Sequence, residues 1–318
     1  MLKLPIYTEL ENAQNILIAG AGGGFDIFSG LPLYFGLKAS GKNVHLANLS
    51  FSFLPPPQVT GEGRLSPSML RVTANTPAFT RYFPEHFLSK WFQGQGEDVP
   101  IYCFEKTGVI PLLESYKALI TSLSLDTIIL VDGGTDSLMR GDESGLGTPY
   151  EDVSSIIAVA QTSVERKLLI NLGFGVDHYH GVSHAHFLEA VSDLIKSNAY
   201  LGMLSLTNDM PEVNKYREAS EYVFKAMPQD ISIVTSSILS AIAGNYGNHH
   251  TTPRTQNSEL WINPLMAAYW CFHVSQIAER ILYGEDMKTT HDITDVMGVI
   301  KRFRESCKTI RPRKEIPV

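Results

Sequence analysis

Cysteine, excess basic charge and long apolar runs are all scarce in this 318-residue chain, and each shortage excludes a class of protein. The three cysteines, Cys103, Cys271 and Cys307, are far apart and form no C-x-x-C pair, which argues against a disulfide framework and against a cysteine zinc site. Their scarcity fits a reducing compartment, so we expect a cytoplasmic protein. A net charge of -7 leaves no general basic surface, and we expect neither nucleic acid nor a membrane as a partner.

No apolar run reaches the roughly 18 residues that a membrane-spanning helix needs. Residues 1–11 also lack the basic-then-apolar order of a signal peptide. What the chain does have is 44% apolar and 19% charged residues, a composition typical of a globular protein with a large core. We therefore expect residues 1–318 to form a single α/β domain. Only residues 301–314 are strongly basic, and they are interpreted as a solvated helix face and a loose end.

Short apolar runs alternate with helical patterns along most of the chain. The predicted strands cover residues 15–19, 43–49, 101–104, 127–131, 167–172, 201–206 and 231–235. The predicted helices cover residues 31–39, 109–123, 150–161, 183–197 and 211–227. Because several strands are apolar throughout, this alternation predicts a Rossmann-like, doubly wound, mainly parallel sheet with helices on both faces.

Two segments interrupt this alternation. Residues 53–98 are rich in proline and aromatic residues and are interpreted as an inserted, lid-like segment. Residues 264–282 form an apolar run, predicted as a long helix that opens a C-terminal helical segment over residues 264–305. The aromatic residues of that helix could serve the core or an interface in a homo-oligomer.

The first predicted strand runs into a glycine-rich turn. Glycines let a backbone approach a ligand closely and point amide groups at phosphate. In a dinucleotide fingerprint the third glycine would fall at Phe25, and Asn48 stands where the ribose-binding acid is expected, so NAD is disfavoured. The residues predicted here to bind phosphate or a nucleotide are Gly20, Gly22, Gly23, Gly24, Asp26 and Asn48.

A second group of polar residues follows the strand predicted at residues 127–131. Asp132, Asp136 and Asp142 supply oxygen ligands that suit Mg²⁺ or Mn²⁺, and Asp132 and Asp136 are also predicted to act in catalysis. Phosphate contacts are predicted for Gly133, Gly134 and Arg140. The alternative is that the aspartates cap turns and helix starts, with Arg140 as their partner.

Four of the ten histidines fall within residues 178–186, directly after another predicted strand. Asp177, His178 and His180 are predicted to act in catalysis, since imidazole transfers protons near neutral pH. A four-histidine metal site is less favoured, because His184 and His186 would point in different directions from a first helical turn. Further along, Arg254 could bind phosphate, although its surroundings are equally typical of a surface loop.

Three motifs together resemble the uncharacterised DUF1152 family. They are Gly-Ala-Gly-Gly-Gly-Phe-Asp from Gly20, Val-Asp-Gly-Gly-Thr-Asp-Ser-Leu-Met-Arg-Gly-Asp-Glu from Val131, and Trp-Ile-Asn-Pro-Leu-Met from Trp261. The resemblance covers most of the chain and implies a Rossmann-like domain. It implies no reaction and no catalytic residues, because none is established for the family.

The leading hypothesis is a metal-assisted hydrolase of a phosphorylated small molecule or nucleotide. The glycine turn would hold phosphate, Asp132 and Asp136 would bind the metal or orient water, and His178 or His180 would be the general acid or base. One alternative is a non-catalytic, nucleotide-responsive binding or regulatory protein, and another is a nucleotide-dependent transferase. The chain has neither a Gly-Lys-Ser/Thr sequence after the glycine turn nor a G-x-S-x-G elbow, which disfavours P-loop and serine-hydrolase chemistry.

Overall fold

The computed structural model describes residues 2–55, 65–78 and 80–316 and shows a mixed α/β fold built on one sheet. Its strands are β1 (Asn15–Gly20), β2 (Asn43–Leu49), β3 (Met69–Val72), β4 (Ile101–Phe104), β5 (Thr127–Asp132), β6 (Arg166–Asn171), β7 (Tyr200–Ser205) and β8 (Ala268–His273). They are ordered β3-β4-β2-β1-β5-β6-β8-β7. The five strands from β4 to β6 in this order are parallel, whereas β3 pairs antiparallel with β4, and β8 pairs antiparallel with β6 and β7. The predicted Rossmann-like, mainly parallel sheet is confirmed.

Helices cover both faces of this sheet. The described α-helices are α1 (Pro5–Asn12), α2 (Asp26–Ser29), α3 (Leu31–Ala39), α4 (Pro84–Gly94), α5 (Val109–Leu123), α6 (Pro149–Ala160), α7 (His184–Lys196), α8 (Pro211–Ala226), α9 (Ile233–Ile242), α10 (Val274–Arg280), α11 (Gly284–Met287) and α12 (Ile293–Ser306). Along β1, Leu17 packs in one apolar cluster with α5, α6, α7 and α12, whereas Ile16 and Ile18 pack in a second cluster with α3, α4 and α8. Because successive side chains of a strand point to opposite faces, the two clusters lie on opposite sides of the sheet.

The strand predicted over residues 231–235 is wrong, because this segment opens α9. The Ser232 hydroxyl oxygen accepts a hydrogen bond from the Thr235 amide at 3.1 Å, which is the N-cap arrangement of a helix. The β-branched residues after Ser232 favour a strand locally. The cap and ten residues of continuous helix outweigh that preference.

The long helix predicted over residues 264–282 is also wrong. Pro264–Ala267 form a short 3-10 turn, the chain then enters β8, and α10 follows it. Trp270 and Phe272 pack on one side of the sheet, while Tyr269 and Cys271 pack on the other. An apolar run that is buried on both faces fits a central strand as well as a buried helix. Since these aromatic side chains are buried within the chain, they do not form the exposed apolar face on which the homo-oligomer prediction rested.

Part of the segment predicted as a lid-like insertion belongs to the main sheet. Residues 69–72 form the edge strand β3, and α4 buries Leu88, Trp91 and Phe92 in an apolar cluster. Residues 56–64 and 79 of this segment lie outside the described residues. No helix in the described ranges combines the length and the apolar character needed to cross a membrane.

The strand order reverses between β1 and β5. From β1 the chain continues to β2 and β4 on one side, whereas β5 continues to β6 on the other. In open α/β sheets, ligands bind outside the carboxyl ends of the strands at such a reversal. The loops after β1, β5 and β6 are therefore the expected position of a ligand-binding site.

Candidate functional site

Five aspartates come together beyond the carboxyl ends of β1, β5 and β6, and we call them the carboxylate cluster: Asp26, Asp132, Asp136, Asp152 and Asp177. Asp132 is the last residue of β5, Asp26 begins α2 after the glycine turn, and Asp152 lies in the first turn of α6. Asp136 and Asp177 lie on short 3-10 turns that follow β5 and β6. One carboxylate oxygen from each of Asp26, Asp132 and Asp152 lies within 4.8 Å of the other two.

Hydrogen bonds orient the buried carboxylates. Asp132 Oδ2 accepts hydrogen bonds from the Asn171 amide Nδ2 at 2.6 Å and from the Ser137 hydroxyl at 2.5 Å. Asp177 Oδ2 accepts one from the backbone amide of Thr135 at 2.6 Å. Supporting donors of this kind commonly stand behind carboxylates that bind metal ions.

The glycine turn faces the carboxylate cluster. The Gly22 amide donates to Asp26 Oδ2 at 2.7 Å, and the Gly133 amide donates to Asp26 Oδ1 at 3.2 Å. A Cβ atom on Gly22 would lie 2.6 Å from Asp152 Oδ1, so a side chain at this position would displace a carboxylate. The Gly22 amide that was predicted to hold phosphate thus binds an internal carboxylate here.

Burial raises the pKa of every carboxyl group in the cluster. It raises the pKa of Asp26 to about 7, raises those of Asp132, Asp152 and Asp177 well above the ordinary value, and also raises that of Asp136. For all but Asp136, repulsion from neighbouring aspartates adds to the effect of burial. Placing several carboxylates in one buried site disfavours ionising all of them.

None of the aspartates in the cluster forms an ion pair on the described part of the chain. None of the ion pairs within residues 2–55, 65–78 and 80–316 includes one of its aspartates. Asp152 is only 2% exposed, and its Oδ1 atom has no hydrogen-bond partner among the described residues. Asp26, Asp132 and Asp152 could hold a hard divalent cation such as Mg²⁺ or Mn²⁺, which prefers carboxylate oxygens. Such a cation would favour the ionised carboxylates and balance their charge.

Asp142, the third residue predicted to bind metal, is instead bound by arginines. Its carboxylate accepts hydrogen bonds from Arg140 Nε at 2.9 Å and from Arg311 Nε at 2.9 Å. Burial opposes ionisation of Asp142, but these two arginines outweigh it and lower the pKa to about 2. Arg311 also pairs with Glu143 and Glu189, so this part of the basic C-terminal segment is held against the fold. Arg140 is correspondingly engaged with Asp142 rather than directed at the cluster.

The segment after β6 carries three residues that were predicted to act in catalysis: Asp177, His178 and His180. They lie in different surroundings. Asp177 belongs to the cluster, and His180 is close enough to Asp136 to lower the pKa of that carboxyl group. His178 lies against Arg313, whose Nη2 atom is 2.6 Å from Nδ1 and 2.8 Å from Nε2 of the imidazole. Among the described residues, the group close enough to share a metal ion contains only aspartates, so the four histidines do not form such a group.

Two other predicted binding residues hold backbone segments together. Asn48 donates through Nδ2 to the Gly24 carbonyl and to Glu85 Oε1, both at 2.8 Å, and so connects β2 to the glycine turn and α4. Arg254 is exposed and donates to the Ile231 carbonyl at 2.7 Å. Neither contact points to phosphate.

Sequence reasoning missed Asp152 and did not count Asp26 among the metal ligands. Asp152 lies in a helix whose residues 149 and 151–159 are all buried. A charged residue at a buried position is costly unless it has a partner or a ligand. No local signal in the sequence indicates this burial, because acidic residues such as Glu151 and Asp152 are common in the first turn of a helix and only the tertiary packing buries Asp152.

Comparison with known proteins supplies a family and no named relative. A family model described as "Protein of unknown function (DUF1152)" matches residues 86–305, which include four of the five aspartates of the cluster. Neither the curated proteins nor the solved structures provided a match. Because the matched residues make up more than half of the chain, and the three sequence motifs pointed to the same family, this protein belongs to the DUF1152 family.

Proposed function

We propose that this protein is a divalent-metal-dependent hydrolase of a phosphorylated small molecule or nucleotide, with the carboxylate cluster as its metal site. The observation that carries the proposal is the approach of three carboxylate oxygens to within 4.8 Å of one another at the reversal of the strand order. The Oδ1 atom of Asp152, which has no hydrogen-bond partner among the described residues, is an independent indication that a ligand belongs there.

Asp26, Asp132 and Asp152 would be the protein ligands of the metal. A divalent cation bound there would offset the repulsion between the site and a phosphate group and polarise its oxygens. This role replaces the phosphate cradle expected of the glycine turn, because the Gly22 amide donates to Asp26. The turn would then contribute by fixing a metal ligand rather than by contacting the substrate.

Asp136 and Asp177 are candidates for proton transfer. Both have raised pKa values through burial, and each is fixed by donors from a threonine, Thr148 for Asp136 and Thr135 for Asp177. A carboxylate with a raised pKa is a stronger base when it is ionised, so it can accept a proton from an attacking water molecule and later release it. His180, close enough to influence Asp136, is the further candidate for this role.

The test is calorimetric titration of the purified protein with Mn²⁺, combined with measurement of phosphate release. Asp152→Asn should weaken Mn²⁺ binding by more than about tenfold, since even outer-shell changes cost that much. Glu85→Gln is the matched control, because Glu85 is fully buried and absent from the group of possible ligands. Release of phosphate from nucleotides or sugar phosphates should require Mn²⁺ or Mg²⁺ and stop with EDTA.

Three results would be decisive. If wild type and Asp152→Asn bound Mn²⁺ with equal affinity, the carboxylate cluster would not be the metal site. Metal binding without release of phosphate from any member of the panel would contradict the hydrolase and favour the regulatory alternative. Phosphate release that persists in EDTA would contradict metal dependence.

A further inference from the structure

A cavity of about 490 Å³ is lined in part by Val176 and His178, the sequence neighbours of Asp177, and we call it the Trp261 cavity. Its walls include Val176, His178, His184, Glu259, Trp261 and Arg313. A volume of this size is in the range of pockets that enclose small molecules. The residues that line it come from the segment after β6, from α9, from the segment between α9 and β8, and from residues 313–316.

Aromatic rings form much of the wall. Trp261 is 41% exposed, although tryptophan is usually well buried. Its ring stands edge-to-face with the imidazole of His184, with centroids 5.1 Å apart and planes at 87°. The imidazoles of His184 and His178 lie 5.2 Å apart at 30°. Exposed aromatic planes of this kind are surfaces on which a planar ring of a ligand can stack.

The pKa values of both imidazoles are lowered, which favours their uncharged forms. Burial, with smaller contributions from His178 and Arg313, lowers the pKa of His184 to about 4. Burial and then Arg313 also lower the pKa of His178. A neutral imidazole offers one donor and one acceptor, and the Nε2 atom of His184 is buried with no partner within the described residues. Because His184 lines the cavity, a ligand bound there could supply the partner that its Nε2 atom lacks within the described residues.

The 3-10 turn Val176–His180 connects the cavity to the cluster. Val176 and His178 line the cavity, whereas the carboxylate of Asp177, between them in sequence, belongs to the cluster. Neighbouring residues of this one turn therefore contribute to the Trp261 cavity and to the carboxylate cluster. A ligand with a flat ring and a phosphate group matches this pair of sites.

We propose that the Trp261 cavity binds the heteroaromatic base of a nucleotide, by stacking on Trp261 and hydrogen bonding to His184. This inference deepens the proposed function, because it assigns the phosphorylated substrate to the nucleotides rather than to the sugar phosphates. Glu259 and Asn248, which also line the cavity, provide further polar groups for the edge of the base or its ribose.

The experiment compares the affinities of the adenine, guanine, cytosine and uracil nucleoside 5′-monophosphates with that of ribose 5-phosphate, by calorimetry in the presence of Mn²⁺. Trp261→Ala should weaken binding of the preferred nucleotide by about five- to a hundredfold, the range measured for loss of base–aromatic stacking. Ribose 5-phosphate should be unaffected. Trp261→Phe should restore most of the affinity, and Tyr222→Ala, which removes an aromatic side chain of similar exposure (42%) from α8, should leave it unchanged.

The two proposals fail in different ways. If ribose 5-phosphate binds as tightly as every nucleotide, or if Trp261→Ala weakens both kinds of ligand equally, the cavity does not bind a base, whatever the metal does. If unphosphorylated nucleosides bind with dependence on Trp261 in protein that neither binds Mn²⁺ nor releases phosphate, the cavity inference stands and the hydrolase is refuted. Thermal unfolding of each variant checks that it is folded.

Discussion

Gly22 leaves no room for a side chain beside the carboxylate cluster. It is tightly enclosed, and a Cβ atom there would lie 2.6 Å from Asp152 Oδ1 and 2.9 Å from Asp26 Oδ2. Real Cβ atoms do not come this close, so the carboxylates or the turn would have to move. Because the turn also positions Asp26 through its amide, a single methyl group would disturb two of the three possible metal ligands.

We therefore expect Gly22→Ala to lose Mn²⁺ binding and to lower the free energy of unfolding by about 1–3 kcal/mol, the usual cost of overpacking. Urea unfolding and calorimetric titration measure the two effects. Gly94→Ala is the control, because nothing lies within 4 Å of its added Cβ atom, at the end of α4. Unchanged Mn²⁺ affinity in Gly22→Ala would show that the turn does not constrain the ligands.

Glu85 provides a pH dependence that is separate from the cluster. Burial raises its pKa from 4.5 to about 7, so the folded protein keeps this carboxyl group protonated in a range where the unfolded chain has ionised it. Its contribution to stability is complete below about pH 4.5 and is lost as the pH rises through about 7. Glu85→Gln should remove this dependence.

At pH 8 we expect Glu85→Gln to be more stable than wild type by up to about 3 kcal/mol, and at pH 4.5 to be close to it. Urea unfolding of both proteins at pH 4.5 and at pH 8 measures the difference in their free energies of unfolding. The exposed Glu221→Gln is the control. A difference from wild type that is the same at both pH values would contradict the raised pKa of Glu85.

At the scale of elements, α9 shows how a local contact decides between strand and helix. Its first residues are apolar and β-branched, and the Ser232 hydroxyl begins the helix by accepting from the Thr235 amide. Ser232→Ala should lower the free energy of unfolding by about 1 kcal/mol, as loss of an N-cap does. Ser306→Ala, in the last turn of α12, should change it by less than about 0.5 kcal/mol. Urea unfolding of both variants measures these changes in the free energy of unfolding. Equal losses in the two variants would contradict the role of Ser232 as an N-cap.

Strand β8 shows the opposite case, in which no local signal was sufficient. Residues 268–273 are apolar on both faces because β8 lies between β6 and β7. Periodicity cannot separate such a strand from a buried helix. The elements that were predicted with the same bounds as observed, such as α3 and α5, instead begin directly after a glycine and end directly before a serine.

At the scale of the whole molecule, the cluster links stability to pH and to metal. The pKa of Asp26 is raised from 3.8 to about 7, and those of the other four aspartates are raised as well. In metal-free protein their stabilising contribution is complete below about pH 4 and is lost as the pH rises through the folded values. Metal binding to the ionised carboxylates should reverse this trend.

We accordingly expect the free energy of unfolding in EDTA to fall between pH 5 and pH 8, and the stabilisation by Mn²⁺ to grow over the same range. At 100 times its dissociation constant, a metal should add about 2.7 kcal/mol. Urea unfolding at several pH values, with and without Mn²⁺, measures both. Asp152→Asn is the matched variant, in which the stabilisation by Mn²⁺ should largely disappear. Stabilisation by Mn²⁺ that is independent of pH would contradict binding to these carboxylates.

The parallel α/β architecture and the edge of the sheet where polar groups gather could both be predicted from the sequence, because they depend on local periodicity and on which residues follow each strand. Asp132, Asp136 and Asp177 were found for this reason, since each comes soon after a strand. Only the tertiary structure decided that Asp26 and Asp152 meet Asp132, that Asp142 pairs with arginines, and that Trp261 and Arg313 share a cavity. Those contacts join segments far apart in the chain, and their geometry depends on how helices and loops pack on the sheet, which no local pattern specifies.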